Sequence, residues 1–192
     1  MVIWKRKLYR IIIGSIFPTV YLITKNSFLP LIFSSFFLTL LLALEYERYK
    51  NPFVWEWILK HFGSTFKTSP GILTGDTCFM LSSFFSILLF PMEIAIFSLY
   101  FLVFGDAGSA IIGSKFGKIS IFPGKTFEGM VGGMFFNFIL CFLLLFIIKV
   151  KFMILITGIL LNAIFEVLPL KIDDNLTTGI IPGIIMSLLY IL

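Results

Sequence analysis

The stretch Met92–Ile148, MEIAIFSLYFLVFGDAGSAIIGSKFGKISIFPGKTFEGMVGGMFFNFILCFLLLFII, runs from hydrocarbon into charge and back again. Its two apolar runs, Met92 to Gly113 and Phe127 to Ile148, each fall within the roughly 17 to 25 residues that a helix needs to cross a bilayer. Between them, and overlapping their ends, Gly105 to Gly133 collects Asp106, Glu128, three lysines and eight glycines. The whole chain is only 13% charged, against roughly 25% in ordinary soluble domains, so this concentration needs a reason. The pattern predicts two membrane helices joined by a polar, glycine-rich turn at one surface.

The rest of the chain extends that reading. Of its 192 residues, 59% are hydrophobic and 25 are Phe, and the mean hydropathy is +1.06. Further apolar runs cover Tyr9 to Thr24, Phe28 to Tyr46, Gly71 to Phe90, Phe152 to Leu168 and Leu176 to Leu192. The expected fold is therefore all-α: a polytopic integral membrane bundle of about seven transmembrane helices, forming one domain over residues 1–192. No small-residue cleavage site follows the first run, which is expected to stay as a span. Cys78 and Cys141 lie inside apolar runs and read as small buried hydrophobes.

Basic residues near span ends mark the cytoplasmic side. With the N-terminus cytoplasmic, that side holds twelve of the fifteen Lys and Arg, leaving only Lys25, Lys149 and Lys151 opposite. The net charge of +5 is thus one-sided, and it suits an anionic membrane surface rather than nucleic acid. Residues 51–67 are too polar to cross; Trp55 and Trp57 beside Glu56, Lys60 and His61 suggest an interfacial helix. His61 has no metal-type cluster around it and reads as solvated.

Asp106 is the first residue with a chemical claim. A carboxylate deep in a membrane helix costs about 2.5 to 3.5 kcal/mol even on the lenient insertion scale, so it should face a wet cavity or a cation. Gly105, Ser109 and Gly113 surround it with small residues. These permit close helix packing, and they also admit a polyphosphate against the backbone. Lys115, Gly117, Lys118, Gly124 and Lys125 follow. Gly124-Lys125-Thr126 invites comparison with a Walker A loop, but Ile119 stands where that pattern needs its first glycine, and no strand precedes it. What remains is backbone N–H groups offered by glycines and point charges offered by lysines, both suited to phosphate. Thr126 can cap the fifth span, with Glu128 and Gly129 in its first turn. Asn162 and Glu166, four apart on one helix face, lead toward Asp173, Asp174 and Asn175. Adjacent aspartates are ordinary turn formers, yet with Asp106 they make an oxygen-ligand set for Mg²⁺ bound to substrate phosphates.

Three ordered segments, GDAGSAIIGSKFGK, GKTFEGMVGG and EVLPLKIDDNLTTGIIPG, resemble the dolichol kinase, phytol kinase and CTP-dependent diacylglycerol kinase family. The likeness covers most of the chain. Arg6, Lys7 and Gly14 match the family's basic pair and glycine at the first span, with Arg10 where the family has His. The middle segment is also similar to CDP-diacylglycerol synthase, but the synthase's Gly-His-Gly-Gly and Asp-Arg signature is missing, and the C-terminal segment follows the kinases.

The resemblance implies a membrane enzyme that phosphorylates a lipid alcohol (a polyprenol, phytol or diacylglycerol) from CTP with a divalent cation such as Mg²⁺. On that reading Arg6, Lys7, Lys118 and Lys125 supply positive charge, and Asp106, Asp173 and Asp174 hold the metal. The nucleotide lies along Gly105, Ser109, Gly113, Lys115, Gly117, Thr126, Gly129 and Asn175. Glu128 or Glu166 serves as base or orienting group, and Asn162 with Glu166 meets the lipid. The alternatives are a phosphatidate cytidylyltransferase, which would release pyrophosphate, and a small multipass transporter. Gly129 to Gly133 and Gly179 to Gly183 are both GxxxG pairs, which serve contacts inside one bundle or between copies.

Overall fold

The computed structural model of the chain describes residues 2–62 and 73–192, and within them the side chains of 2–6 and of five α3 residues lie outside the description. Among the described residues are eight helices: α1 (Val2–Thr24), α2 (Phe28–Lys50), α3 (Pro52–Phe62), α4 (Gly75–Leu89), α5 (Met92–Phe116), α6 (Phe127–Leu144), α7 (Phe152–Val167) and α8 (Asp174–Ile191). Strands β1 (Ser120–Phe122) and β2 (Lys125–Thr126) form one antiparallel hairpin between α5 and α6.

Each of the seven apolar runs becomes a helix. Five helices (α1, α2, α5, α6 and α8) are long and apolar enough to cross a membrane. The other two, α4 and α7, are apolar but have 15 and 16 residues, about 22 and 24 Å of helix, short of the ~30 Å hydrocarbon core. The helix expected over 51–67 exists as α3 across Pro52–Phe62, and the rest of that segment lies outside the described residues. His61 is exposed and its ring nitrogen contacts the Trp57 carbonyl oxygen.

Local chemistry sets the helix starts. The hydroxyls of Thr74 and Thr126 accept from the backbone N–H of Thr77 and Gly129, and the Asp173 carboxylate accepts from Asn175, capping α4, α6 and α8. Each cap occupies a donor that would otherwise lie unpaired at a helix N-terminus. Pro91 breaks the chain between α4 and α5. The loop expected between α5 and α6 is a hairpin instead, because Pro123 and Gly124 make a two-residue turn and Gly124 adopts φ +77°, a backbone state that glycine enters without strain.

Helix α5 is the axis of the bundle. Its apolar stretch is 72% buried, against 28% and 22% for α1 and α2, and it packs on α1, α4, α6, α7 and α8. Ile94, Ile96, Phe97 and Phe101 are fully enclosed. The outer helices turn Phe36, Leu40, Phe135 and Phe142 outward, an apolar coat far beyond what a water-facing surface carries. Along the α5–α6 seam the backbones touch. A Cβ added to Gly108 would lie 2.9 Å from the Gly132 carbonyl oxygen, and one on Gly133 would lie 2.9 Å from that of Gly105. Gly179 is packed on Ser82 and Gly183 on Phe90, so both GxxxG pairs are used inside the chain.

This packing gathers charge at one end. There Glu45 of α2 accepts from the Thr74 backbone N–H at 2.5 Å and the Thr77 hydroxyl at 2.9 Å, tying α2 to the start of α4. Glu93 faces Tyr21 and Tyr190 on other helices, far along the bundle.

Candidate functional site: a charged cavity at one end of the bundle

Where α5 and α6 reach the hairpin, the seam opens into a cavity of about 400 Å³. Three cations and three acids line it: Lys7 and Arg10 from α1, Lys125 from β2, Asp106 from α5, Glu166 from α7 and Asp174 from α8. Small residues line it too, among them Ser109, Gly113, Gly124, Thr126 and Gly129. A volume of this size lies within the 300 to 1,000 Å³ typical of ligand pockets.

Asp106 is the hub of one half. Lys7 Nζ donates to its Oδ1 at 2.5 Å, and Arg10 Nη1 donates to its Oδ2 at 3.2 Å. Arg10 Nη1 also lies 3.4 Å from Asn175 Oδ1, and Nη2 lies 3.8 Å from Asp76 Oδ1. Both basic side chains are nearly enclosed, with side-chain exposures of 8% for Lys7 and 11% for Arg10. The reason is positional: α1 begins at Val2, so Lys7 and Arg10 ride its first turns on the face that meets α5.

Lys125 is the hub of the other half. It donates to Glu166 Oε1 and to Asp174 Oδ2, the latter at 3.3 Å. Burial alone would pull its ammonium below the ordinary lysine value, but Glu166 and Asp174 outweigh burial and hold it above. Lys125 is therefore a fixed positive charge at neutral pH.

The remaining expected residues divide. Lys115, Gly117 and Lys118 do not line the cavity; Lys115 and Lys118 are exposed. Gly105 sits where an added Cβ would reach the amides of Asn137 and Asn162, so it serves helix packing. Glu128 does not face the cavity. Its carboxylate accepts from the backbone N–H groups of Lys118 and Ile119 at 3.0 and 3.2 Å, holding the hairpin to the start of α6. Asn162 does not meet lipid through its amide: it is buried, accepts from Asn137 Nδ2 at 3.0 Å and donates to the Thr178 carbonyl oxygen at 3.2 Å. The Arg6 side chain lies outside the described residues.

The three aspartates expected as metal ligands are not gathered in one place, and among the described residues no group of three or more His, Cys, Asp or Glu is arranged to hold a metal by itself. Asp173 caps α8 and accepts from Asn175 Nδ2 at 2.6 Å. Asp106 and Asp174 both line the cavity. Mg²⁺ is commonly held by one or two carboxylates together with substrate phosphates and water, and these two fit that mode while Asp173 does not.

Two residues gain importance that the sequence did not give them. Arg10 joins Asp106, Asn175 and Asp76, whereas the sequence marked it only as the residue in place of a family His. Asp76 stands in the apolar run Gly71–Phe90, and the cost of an intramembrane acid that drew attention to Asp106 applies equally there. No family model, curated protein or solved structure matches the chain.

Proposed function

We propose that the chain is a membrane kinase that transfers the terminal phosphate of a nucleoside triphosphate, CTP on the resemblance, to the hydroxyl of a lipid alcohol. The observation that carries this reading is the cavity in which Lys7 and Arg10 of α1 and Lys125 of β2 converge on Asp106, Glu166 and Asp174. Phosphoryl transfer asks a protein mainly for positioning and charge, and this cavity offers both. The alcohol oxygen bonds to the terminal phosphorus, the bond from that phosphorus to the bridging oxygen breaks, and the nucleoside diphosphate leaves with the electron pair. The hydroxyl proton passes to a carboxylate or water at the cavity wall.

The roles follow from position. Arriving phosphate oxygens take over the cations from their carboxylate partners, with Lys125 and Arg10 as donors and Gly113, Thr126 and Gly129 as the close wall. Asp106 and Asp174 would hold Mg²⁺ brought in on the triphosphate. The ion supplies neutralisation of the charge that builds on the phosphate oxygens. The membrane arrangement belongs to the same proposal: seven helices cross, α3 lies at the interface, and the N-terminus and the cavity face the cytoplasm. The twelve-to-three charge bias supports that orientation.

The test is an incubation of purified protein with Mg²⁺, labelled CTP or ATP and a panel of phytol, farnesol, geranylgeraniol, a long polyprenol and diacylglycerol. A phosphorylated lipid with nucleoside diphosphate is the expected product. Pyrophosphate with a nucleotide-linked lipid, or no product from any acceptor, overturns the kinase reading.

A further inference from the structure

A second cavity, about 410 Å³, lies between α1, α2 and α4. It adjoins the charged one, because Arg10 lines both. Its inner wall is hydrocarbon from Ile13, Phe17, Leu41, Phe79 and Met80. Its outer rim is different: Ile16, Phe33, Phe37 and Leu40 are all exposed. The cavity is therefore open sideways, between α1 and α2, onto the apolar coat of the bundle. Among the described residues, only Arg10 and Asp76 bring charge to it.

Its dimensions limit what fits. The lining runs along α1 from Tyr9 to Val20, twelve residues whose ends lie about 16 Å apart along the helix, which is near half the thickness of a bilayer core. The charged wall is built for a small polar head. Arg10 points Nη1 at Asp106 in the charged cavity, while its buried Nη2 has no hydrogen-bond partner among the described residues and lies 3.8 Å from Asp76 Oδ1.

We propose that this cavity holds the hydrocarbon chain of the lipid alcohol, with the hydroxyl against the Arg10–Asp76 wall. Arg10 Nη2 donates to the hydroxyl oxygen and the hydroxyl donates to Asp76, which sets that oxygen beside the phosphate side of the same guanidinium. The assignment rests on the kinase reading for its hydroxyl, but the chain site can be tested without turnover.

The experiment uses the full chain in lipid nanodiscs with a 20-carbon prenol carrying a photoreactive diazirine, and the methyl ether of the same probe. After illumination, labelled peptides are mapped by mass spectrometry. Label concentrated on α1, α2 and α4, falling at least fivefold with excess unlabelled prenol and at least fivefold lower for the ether, supports the proposal. Label spread evenly over the outer helices, or equal labelling by alcohol and ether, marks an ordinary lipid-facing crevice and overturns it. Val20→Trp narrows the deep end; the ratio of 20-carbon to 10-carbon alcohol labelling is expected to fall at least tenfold, and an unchanged ratio overturns the chain's placement. Specific labelling without phosphorylation sinks the kinase reading alone, whereas phosphorylation without labelling at α1, α2 and α4 sinks this assignment alone.

Discussion

Two polar clusters sit inside this apolar bundle, and they are built in opposite ways. In the middle, Asn137 of α6 and Asn162 of α7 are 1% and 3% exposed. They are neutral, and their amides reach each other, the Phe101 carbonyl oxygen and the Thr178 carbonyl oxygen. That cluster is closed, with Gly105 kept small so that the amides can meet. At the charged end, six acidic and basic side chains from α1, α5, β2, α7 and α8 surround open volume instead. Neutral amides with partners in the protein hold helices together; opposed charges around a void are poised to exchange those partners for a ligand. The comparison thus separates residues that fix the bundle from residues available for chemistry.

The hardest test of that separation is Asp106→Asn. The amide keeps the shape but removes the charge on which Lys7 and Arg10 converge. Phosphorylation of the lipid alcohol is expected to fall at least a hundredfold. Leaving two nearly buried cations without their carboxylate also costs about 3 kcal/mol of stability, so helicity by circular dichroism and the thermal midpoint are measured alongside. A variant that folds and turns over near the wild-type rate would show that the charged cluster is as structural as the neutral one.

Asn162→Leu probes the other side of the comparison. It removes the contacts to Asn137 and to the Thr178 carbonyl oxygen. Interhelical hydrogen bonds of this type in membranes are worth about 0.6 kcal/mol on average, and an orphaned buried amide adds about 1 kcal/mol. The expected result is a thermal midpoint lowered by a few degrees with kcat within threefold of wild type. A kcat loss above tenfold at unchanged stability would return Asn162 to the substrate site.

How far the sequence reaches follows from the same contrast. The apolar runs were legible because a spanning helix needs length and hydrophobicity, and both are local properties. Asp106 was legible because an acid in such a run is costly wherever it lies. The glycines were not, since Gly105, Gly108 and Gly113 suit both close packing and phosphate approach. Only the position of α6 shows that Gly105 and Gly108 pack while Gly113 lines a cavity. Asn162 and Glu166 share a helix, but the neighbours that divide their roles, Asn137 and Lys125, come from elsewhere in the chain. Arg10 is 96 residues from Asp106, and no spacing rule relates them.

The smallest expected effect is at Glu128, where the sequence placed a catalytic carboxylate and the structure places a clasp. Its carboxylate is exposed and takes the backbone N–H groups of Lys118 and Ile119, which fastens the end of α5 to the start of α6 across the hairpin. An acid in the first turn of a helix is also favoured by the helix dipole. Neither role requires a proton to move. Glu128→Gln keeps an oxygen that can accept from the same backbone groups, so kcat is expected within twofold of wild type, with an unchanged pH profile. Glu128→Ala loses the clasp as well; its effect should fall on KM for the nucleotide, through a looser Lys125, more than on kcat. A tenfold drop in kcat for the Gln variant, with KM unchanged, would mean that the carboxylate reaches the reacting groups during turnover and that the hairpin moves to bring it there.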